Sequence, residues 1–259
     1  MKKPRLRPLA IALLLALLHL AAPFSGPWAE PGVHSENVLE ILVYGASGKI
    51  GRHVVSEALQ RGHRVTAVSR NPENIKNQGK TLNVVRGDIL DTDSVRRLLA
   101  GMDVVVVSVR GIAGEGKDPS DTVVLQGLQN VVSALREPSL DGPQLLHVGG
   151  SGSLEVKPGV LFADRIPRIA IPKSLELEIA AQVEALDYLR SIDDIDWTYI
   201  TPPKNFTNGE RTGEYRIGGD QVFEDRYGRS RVSRADFAVA VIDEAESRAH
   251  PRQRISIAY

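Results

Sequence analysis

Three glycines at Gly45, Gly48 and Gly51 are the residues of this chain best suited to hold a phosphate, and they sit in the run Gly45-Ala46-Ser47-Gly48-Lys49-Ile50-Gly51. In a Gly-x-x-Gly-x-x-Gly pattern the first glycine permits a tight turn and the second lets backbone approach a pyrophosphate. The third lets a following helix pack closely on a strand. The N–H groups that open such a helix have no internal partner, and the positive end of the helix dipole adds to their attraction for anions. The pattern carries this meaning only between a strand and a helix. Here Leu39 to Tyr44 is a mostly apolar run of strand type, and Ile50 to Arg61 places Ile50, Val54, Val55, Ala58 and Leu59 on one helical face. The context is that of a dinucleotide site.

Arg70 follows a second predicted strand, Arg64 to Ser69. NAD-specific domains place an acidic residue near this point for the ribose hydroxyls, whereas an arginine suits the 2′-phosphate of NADP. Ser69 adds a hydroxyl. The expected cofactor is therefore NADP(H), with NAD(H) the weaker alternative. Asp88 and Ile89 end a third strand where the crevice meets the adenine ring, and the Asp88 carboxylate can accept from the exocyclic amine or shape a turn. Ser108, Val109 and Arg110 end a fourth strand at the switch point, so their backbone should border the ribose.

These residues need a scaffold, and strand and helix signals alternate from Leu39 onward. Strands are predicted at 82–85, 104–107, 144–148, 197–201 and 254–257, and helices over 91–99, 122–135 and 174–189. Ser233-Arg234-Ala235-Asp236 reads as a capping box opening a last helix. The expectation is α/β: a doubly wound, mostly parallel Rossmann sheet over 39–259, with a small C-terminal substrate-side portion.

Composition removes several classes. With 32 basic and 32 acidic residues the formal net charge is zero, which argues against a nucleic-acid partner. There is no cysteine, so no disulfide, thiolate metal site or thiol nucleophile exists. The six histidines have no metal-ligand spacing with acidic residues, and no metal is predicted. His147 reads as a packed histidine. Gly150-Ser151-Gly152 is not a nucleophile elbow.

The N-terminus is of a different kind. Lys2, Lys3, Arg5 and Arg7 precede an apolar run from Leu9 to Ala22 that is interrupted only by His19, and Pro23, Gly26, Pro27 and Ala29 follow. Residues 1–30 read as a signal peptide or a short membrane anchor, and 31–38 as a linker. A functional leader implies export, with transient membrane contact through this segment; otherwise the protein is cytoplasmic.

The motifs together resemble the NADH-flavin reductases, atypical short-chain dehydrogenase/reductases related to biliverdin reductase B and the NmrA-like proteins. The resemblance is carried by Gly45–Gly51, by Ser69-Arg70-Asn71-Pro72, and by Gly149-Gly150-Ser151-Gly152-Ser153-Leu154. Asp196-Trp197-Thr198, the run from Gly209 to Arg216, and Ser233 to Ala238 extend it. It implies hydride transfer from NADPH to a flavin or similar conjugated small-molecule acceptor, the flavin being substrate rather than resident cofactor. It further implies Ser151 and Ser153 lining the nicotinamide pocket as catalytic residues, with Thr201 and Pro202 closing it. None of the six tyrosines has a lysine four residues later, so the Tyr-x-x-x-Lys proton donor of typical short-chain dehydrogenases is missing. Tyr188 lies on the expected helix but is followed at that spacing by Ile192. Flavin reduction tolerates this, because its compensating proton can come from solvent. The alternatives are a non-catalytic NADP sensor, as NmrA-like relatives are, and an epimerase using bound cofactor.

Overall fold

Four consecutive valines, Val104–Val107, have no polar face to offer solvent, so their strand must lie inside a sheet covered on both sides. In the computed structural model, which describes residues 37–137 and 142–259, all four are buried at the centre of an eight-stranded sheet. The elements run β1 (Glu40–Tyr44), α1 (Gly51–Gln60), β2 (Arg64–Ser69), β3 (Leu82–Arg86), α2 (Thr92–Leu99), β4 (Val104–Val107), α3 (Val123–Leu135) and β5 (Gln144–Val148). A small hairpin follows, β6 (Glu155–Lys157) with β7 (Val160–Leu161), then α4 (Lys173–Arg190), β8 (Trp197–Thr201), β9 (Asn205–Thr207) and β10 (Arg216–Gly218). β11 (Arg231–Ser233), α5 (Arg234–Ser247) and β12 (Gln253–Ala258) complete the chain. The predicted leader and residues 31–36 of the predicted linker lie outside the described residues.

Across the sheet the order is β3-β2-β1-β4-β5-β8-β12-β10. Every neighbouring pair is parallel except β10 with β12. The chain winds outward from β1 to β3, then returns to β4 on the other side of β1. The carboxyl ends of β1 and β4 therefore flank the switch point where such sheets bind ligands. Alternation along each strand splits the core in two. Ile41, Val43, Val104 and Val106 pack with residues of α1 and α5, while Leu42, Tyr44, Val105 and Val107 pack with α2, α3 and α4. Among the described residues no helix is long and apolar enough to cross a membrane.

Caps fix where helices begin. Asp91 accepts from the Asp93 and Ser94 N–H groups, and Thr122 Oγ1 accepts from Leu125 N–H. Ser233 Oγ accepts from Asp236 N–H at 2.9 Å, but the reciprocal half of the expected capping box is replaced. The Ser233 N–H donates to the Tyr259 hydroxyl at 3.0 Å. The Asp236 carboxylate turns instead to Thr212 N–H, Thr212 Oγ1, Gly213 N–H, Ser233 Oγ and the Tyr259 hydroxyl. Burial alone would raise this carboxyl's pKa; the donors around it outweigh that and hold it below the usual range.

The C-terminal portion departs from local expectation. β9 and β11 form a separate parallel pair, with Val232 opposite Phe206. The loop between β9 and β10 is pinned to α1 by Arg211, which donates to both carboxylate oxygens of the buried Glu57 at 2.7 and 2.8 Å.

Candidate functional site

Each loop that the sequence marked out leaves the carboxyl edge of the parallel sheet. The loop after β1 is dictated by glycine. Gly45 has φ +77°, and a Cβ there would stand 2.1 Å from the Ser108 carbonyl oxygen. A Cβ at Gly51 would stand 2.2 Å from the Gly45 carbonyl. Gly48 is different: its Cβ would meet only the Gly45 carbonyl, at 3.0 Å, so its other side is open. The Gly48 N–H donates to Gly45 O at 2.9 Å and closes the turn. α1 has no side-chain cap and no acidic residue in its first turn. The N–H groups of Lys49, Ile50 and Gly51 donate to no acceptor among the described residues. An uncapped helix end behind a loop without side-chain cover is what a dinucleotide pyrophosphate requires.

Beside it, Ala46 is buried and its N–H reaches Val68 O at 3.4 Å, joining the loop to β2. The Ser47 and Ser69 hydroxyls are 3.2 Å apart. Ser69 Oγ also donates to Asn71 O and accepts from Asn71 N–H, which shapes the turn carrying Arg70. Arg70 is exposed and has no acidic partner among the described residues, and the same holds for Lys49. Asp88 is half-buried and its Oδ1 accepts from Leu90 N–H at 3.0 Å, so one oxygen is committed to the turn. Ile89 is buried against Gly127 of α3, and Asn130 donates to its carbonyl at 3.1 Å. It anchors the β3–α2 turn from below. Ser108 N–H donates to Tyr44 O at 3.1 Å, Val109 packs on the core, and Arg110 reaches Glu178 of α4 at 2.7 Å.

The loop after β5 is a 3-10 turn, Ser151–Ser153, held at close quarters. A Cβ at Gly149 would lie 2.1 Å from the Tyr199 ring, one at Gly150 3.1 Å from Gln182, and one at Gly152 2.7 Å from Ile179. The two serines differ. Ser153 is buried, with its hydroxyl donated to Gly150 O at 2.8 Å, whereas Ser151 is half-buried at the edge. Thr201 and Pro202, at and just beyond the end of β8, are both buried.

Beneath this turn lie Tyr199 and Gln182, which the sequence did not single out, and His147, buried as the packed histidine expected. The Tyr199 hydroxyl donates toward Gln182 O at 2.7 Å, lies 2.9 Å from Gln182 Oε1, and accepts from Gly150 N–H at 3.4 Å. The His147 ring stacks on that of Tyr199, with centroids 5.2 Å apart. Burial pushes the Tyr199 phenol well above its ordinary range and lowers the His147 imidazole to about 4, so at neutral pH neither exchanges a proton readily. Gln182 and Glu178, four residues apart on α4, face the β5 and β4 loops respectively. Their signal was helical spacing, legible only once α4 is known to lie over those loops. Tyr188 sits farther along α4, where Arg136 and Asp194 surround its hydroxyl, and Lys173 pairs with Glu176 at 3.2 Å. Among the described residues, no group of three or more His, Asp or Glu is arranged to hold a metal.

Solved structures share this fold and part of this sequence. A family model described as NAD(P)H-binding matches residues 45–247. A Bacteroides thetaiotaomicron structure, provisionally described as an epimerase, is 32% identical with TM-score 0.75, covering 86% of this chain and 98% of that one. A Burkholderia pseudomallei structure, provisionally described as an exported protein, is 33% identical with TM-score 0.71, covering 86% and 100%. A Streptococcus pneumoniae structure, provisionally described as an NADH-flavin reductase, is 28% identical with TM-score 0.70, covering 85% and 99%. The glycine loop, the uncapped α1 and the switch point fall within the matched span. The chain belongs to the NAD(P)H-binding family, among the Rossmann proteins resembling atypical short-chain dehydrogenase/reductases.

Proposed function

We propose that this protein is an NADPH-dependent oxidoreductase whose acceptor is a flavin or a similarly flat conjugated molecule. The Gly45–Gly51 loop and the first N–H groups of α1 would hold the pyrophosphate, Arg70 with Ser47 and Ser69 the 2′-phosphate, and the free Asp88 oxygen the adenine. The bound nicotinamide supplies the hydride. The chain's part is to hold two flat rings together, with Ser151 orienting them from the β5 turn.

One observation carries the reading. The phenol and imidazole nearest the β5 turn are buried and committed to hydrogen bonding and stacking, and α4 turns Glu178 and Gln182 toward the loops rather than a tyrosine and lysine. A site equipped to bind but not to protonate suits an acceptor that draws its proton from solvent. The same feature favours a second reading, a non-catalytic NADP sensor. It disfavours an epimerase, which must take up and return hydrogen at a substrate carbon.

The test is to incubate the full chain with NADPH and riboflavin, FMN or FAD and follow NADPH oxidation. Flavin-dependent turnover is the expected result. Tight NADPH binding with no turnover would overturn the enzyme in favour of the sensor.

A further inference from the structure

At the carboxyl edge of the sheet, β3 adds a residue that the sequence did not mark. Arg86 ends β3 and is the register partner of Ser69, which ends β2. Val65 and Ala67, at two-residue intervals before Ser69, belong to the core on the α1 side of the sheet. Leu82, four residues before Arg86, packs against that same core. Alternation therefore sends the Ser69 and Arg86 side chains to the α1 side, from strands about 4.8 Å apart. Ser47 arrives beside them from the glycine loop, its hydroxyl 3.2 Å from that of Ser69. The two strand ends are held together one residue further on. Gly87 N–H donates to Ser69 O at 3.2 Å, and a Cβ on Gly87 would stand 2.7 Å from Val68 Cγ1.

Charge decides what this corner is fitted for. The Arg86 side chain is exposed and has no hydrogen bond or ion pair among the described residues. At the other end of β2, by contrast, Arg64 pairs with Glu40. Arg70, and Lys49 and Arg52 at the start of α1, likewise lack an acidic partner among the described residues. The carboxylates nearest in the chain, Glu73 and Asp88, pair with none of the four, and Asp88 Oδ1 accepts from Leu90 N–H instead. The chain as a whole balances its acids and bases, so cations without acids at one corner call for an anion. A phosphate monoester carries a charge of about −2 and three acceptor oxygens, enough for two hydroxyls and a guanidinium to share. We propose that Arg86 is a specificity-determining residue for NADP(H), supplying a second guanidinium to the 2′-phosphate from β3, beside the hydroxyls of Ser47 and Ser69. Its backbone is fixed by the β2–β3 pairing, whereas Arg70 is carried on a turn. The inference rests on the NADP(H) reading proposed above.

The test is a calorimetric titration of the full chain with NADPH, NADH and adenosine 2′,5′-bisphosphate, run on the wild type, Arg86→Ala, Arg86→Lys and Arg70→Ala. Arg86 is exposed at the sheet edge, so circular dichroism of its variants should stay native. Arg86→Ala should weaken NADPH and the bisphosphate by about tenfold, the worth of one charge-assisted contact, and leave NADH within about twofold. Arg86→Lys keeps the charge without the fork and should recover part of the loss. An arginine that only guards an edge strand would give a different result. Arg86→Ala would then bind NADPH as the wild type does, and that outcome, or equal losses for NADPH and NADH, would overturn the inference. If Arg70→Ala still separates the two cofactors in that case, the NADP(H) reading survives without Arg86. A wild type that binds NADH as tightly as NADPH would remove the reading and this inference with it.

Discussion

Ser47 and Ser69 meet across the ends of β1 and β2, their hydroxyl oxygens 3.2 Å apart, with Arg70 next in the chain and lacking an acidic partner among the described residues. Two hydroxyls and one guanidinium beside an uncapped helix form a donor-rich ledge, and a 2′-phosphate, additional to the pyrophosphate, is the group that would use it.

Gly45 and Gly48 should respond differently. Gly48→Val puts a side chain into the open side of the loop and should abolish NADPH binding while circular dichroism stays native. Gly45→Ala combines positive φ with a 2.1 Å approach to Ser108 O and should destabilise the fold by on the order of 1–3 kcal/mol or more. Unchanged NADPH affinity in Gly48→Val would show that the phosphate lies elsewhere.

The two hydroxyls proposed or suspected for chemistry separate in the same way. Ser151→Ala should lower kcat with NADPH and flavin by about tenfold, the worth of one orienting hydrogen bond. Tyr188→Phe should keep nearly full activity, because its hydroxyl lies among Arg136 and Asp194, away from the loops. A collapse in Tyr188→Phe with Ser151→Ala unaffected would mean that a proton relay exists and the mechanism is wrong.

His147 gives a pH dependence whose sign is fixed. Burial lowers its folded-state pKa to about 4, against an ordinary value of about 6.5 in the unfolded chain. Its neutral form thus contributes stability that is complete above pH ~6.5, is lost as pH falls toward ~4, and changes no further below that. The loss is at most roughly 3 kcal/mol over that window. Urea unfolding at pH 7.5 and 4.5 should show a smaller drop for His147→Gln than for wild type. Equal drops would place a protonated imidazole in the folded protein.

Residues 1–30 are proposed to direct export, either removed or kept as a tether, on the strength of their basic start and apolar run. N-terminal sequencing after cell fractionation should find the leader cut or the protein with membranes. An intact Met1 in the soluble cytoplasmic fraction would contradict this.

The sequence made the glycine loop and the β1–β4 half of the sheet legible because their signals are local. Gly45-x-x-Gly48-x-x-Gly51 sits between elements of opposite period, Val104–Val107 can only be an interior strand, and Asp91, Thr122 and Ser233 cap helices within a few residues. The C-terminal half was less so, because its contacts are long-range. Nothing near Asn205 announces that it pairs with Arg231, and nothing near Ser233 shows that Tyr259 takes the place of the reciprocal cap. Ser151 and Ser153 looked equivalent in sequence; a buried hydrogen bond to Gly150 O distinguishes them. Tyr199 and Gln182 became visible only when β8 and α4 were brought against one turn.

The most direct test of NADP(H) recognition at this site is a fluorescence titration of the wild type and Arg70→Ala with NADPH and with NADH. A charge-assisted contact to the 2′-phosphate contributes on the order of 1.5–3 kcal/mol, so Arg70→Ala should bind NADPH roughly ten- to a hundredfold more weakly. NADH binding should hardly change. Equal losses for both cofactors, or none for either, would contradict the account.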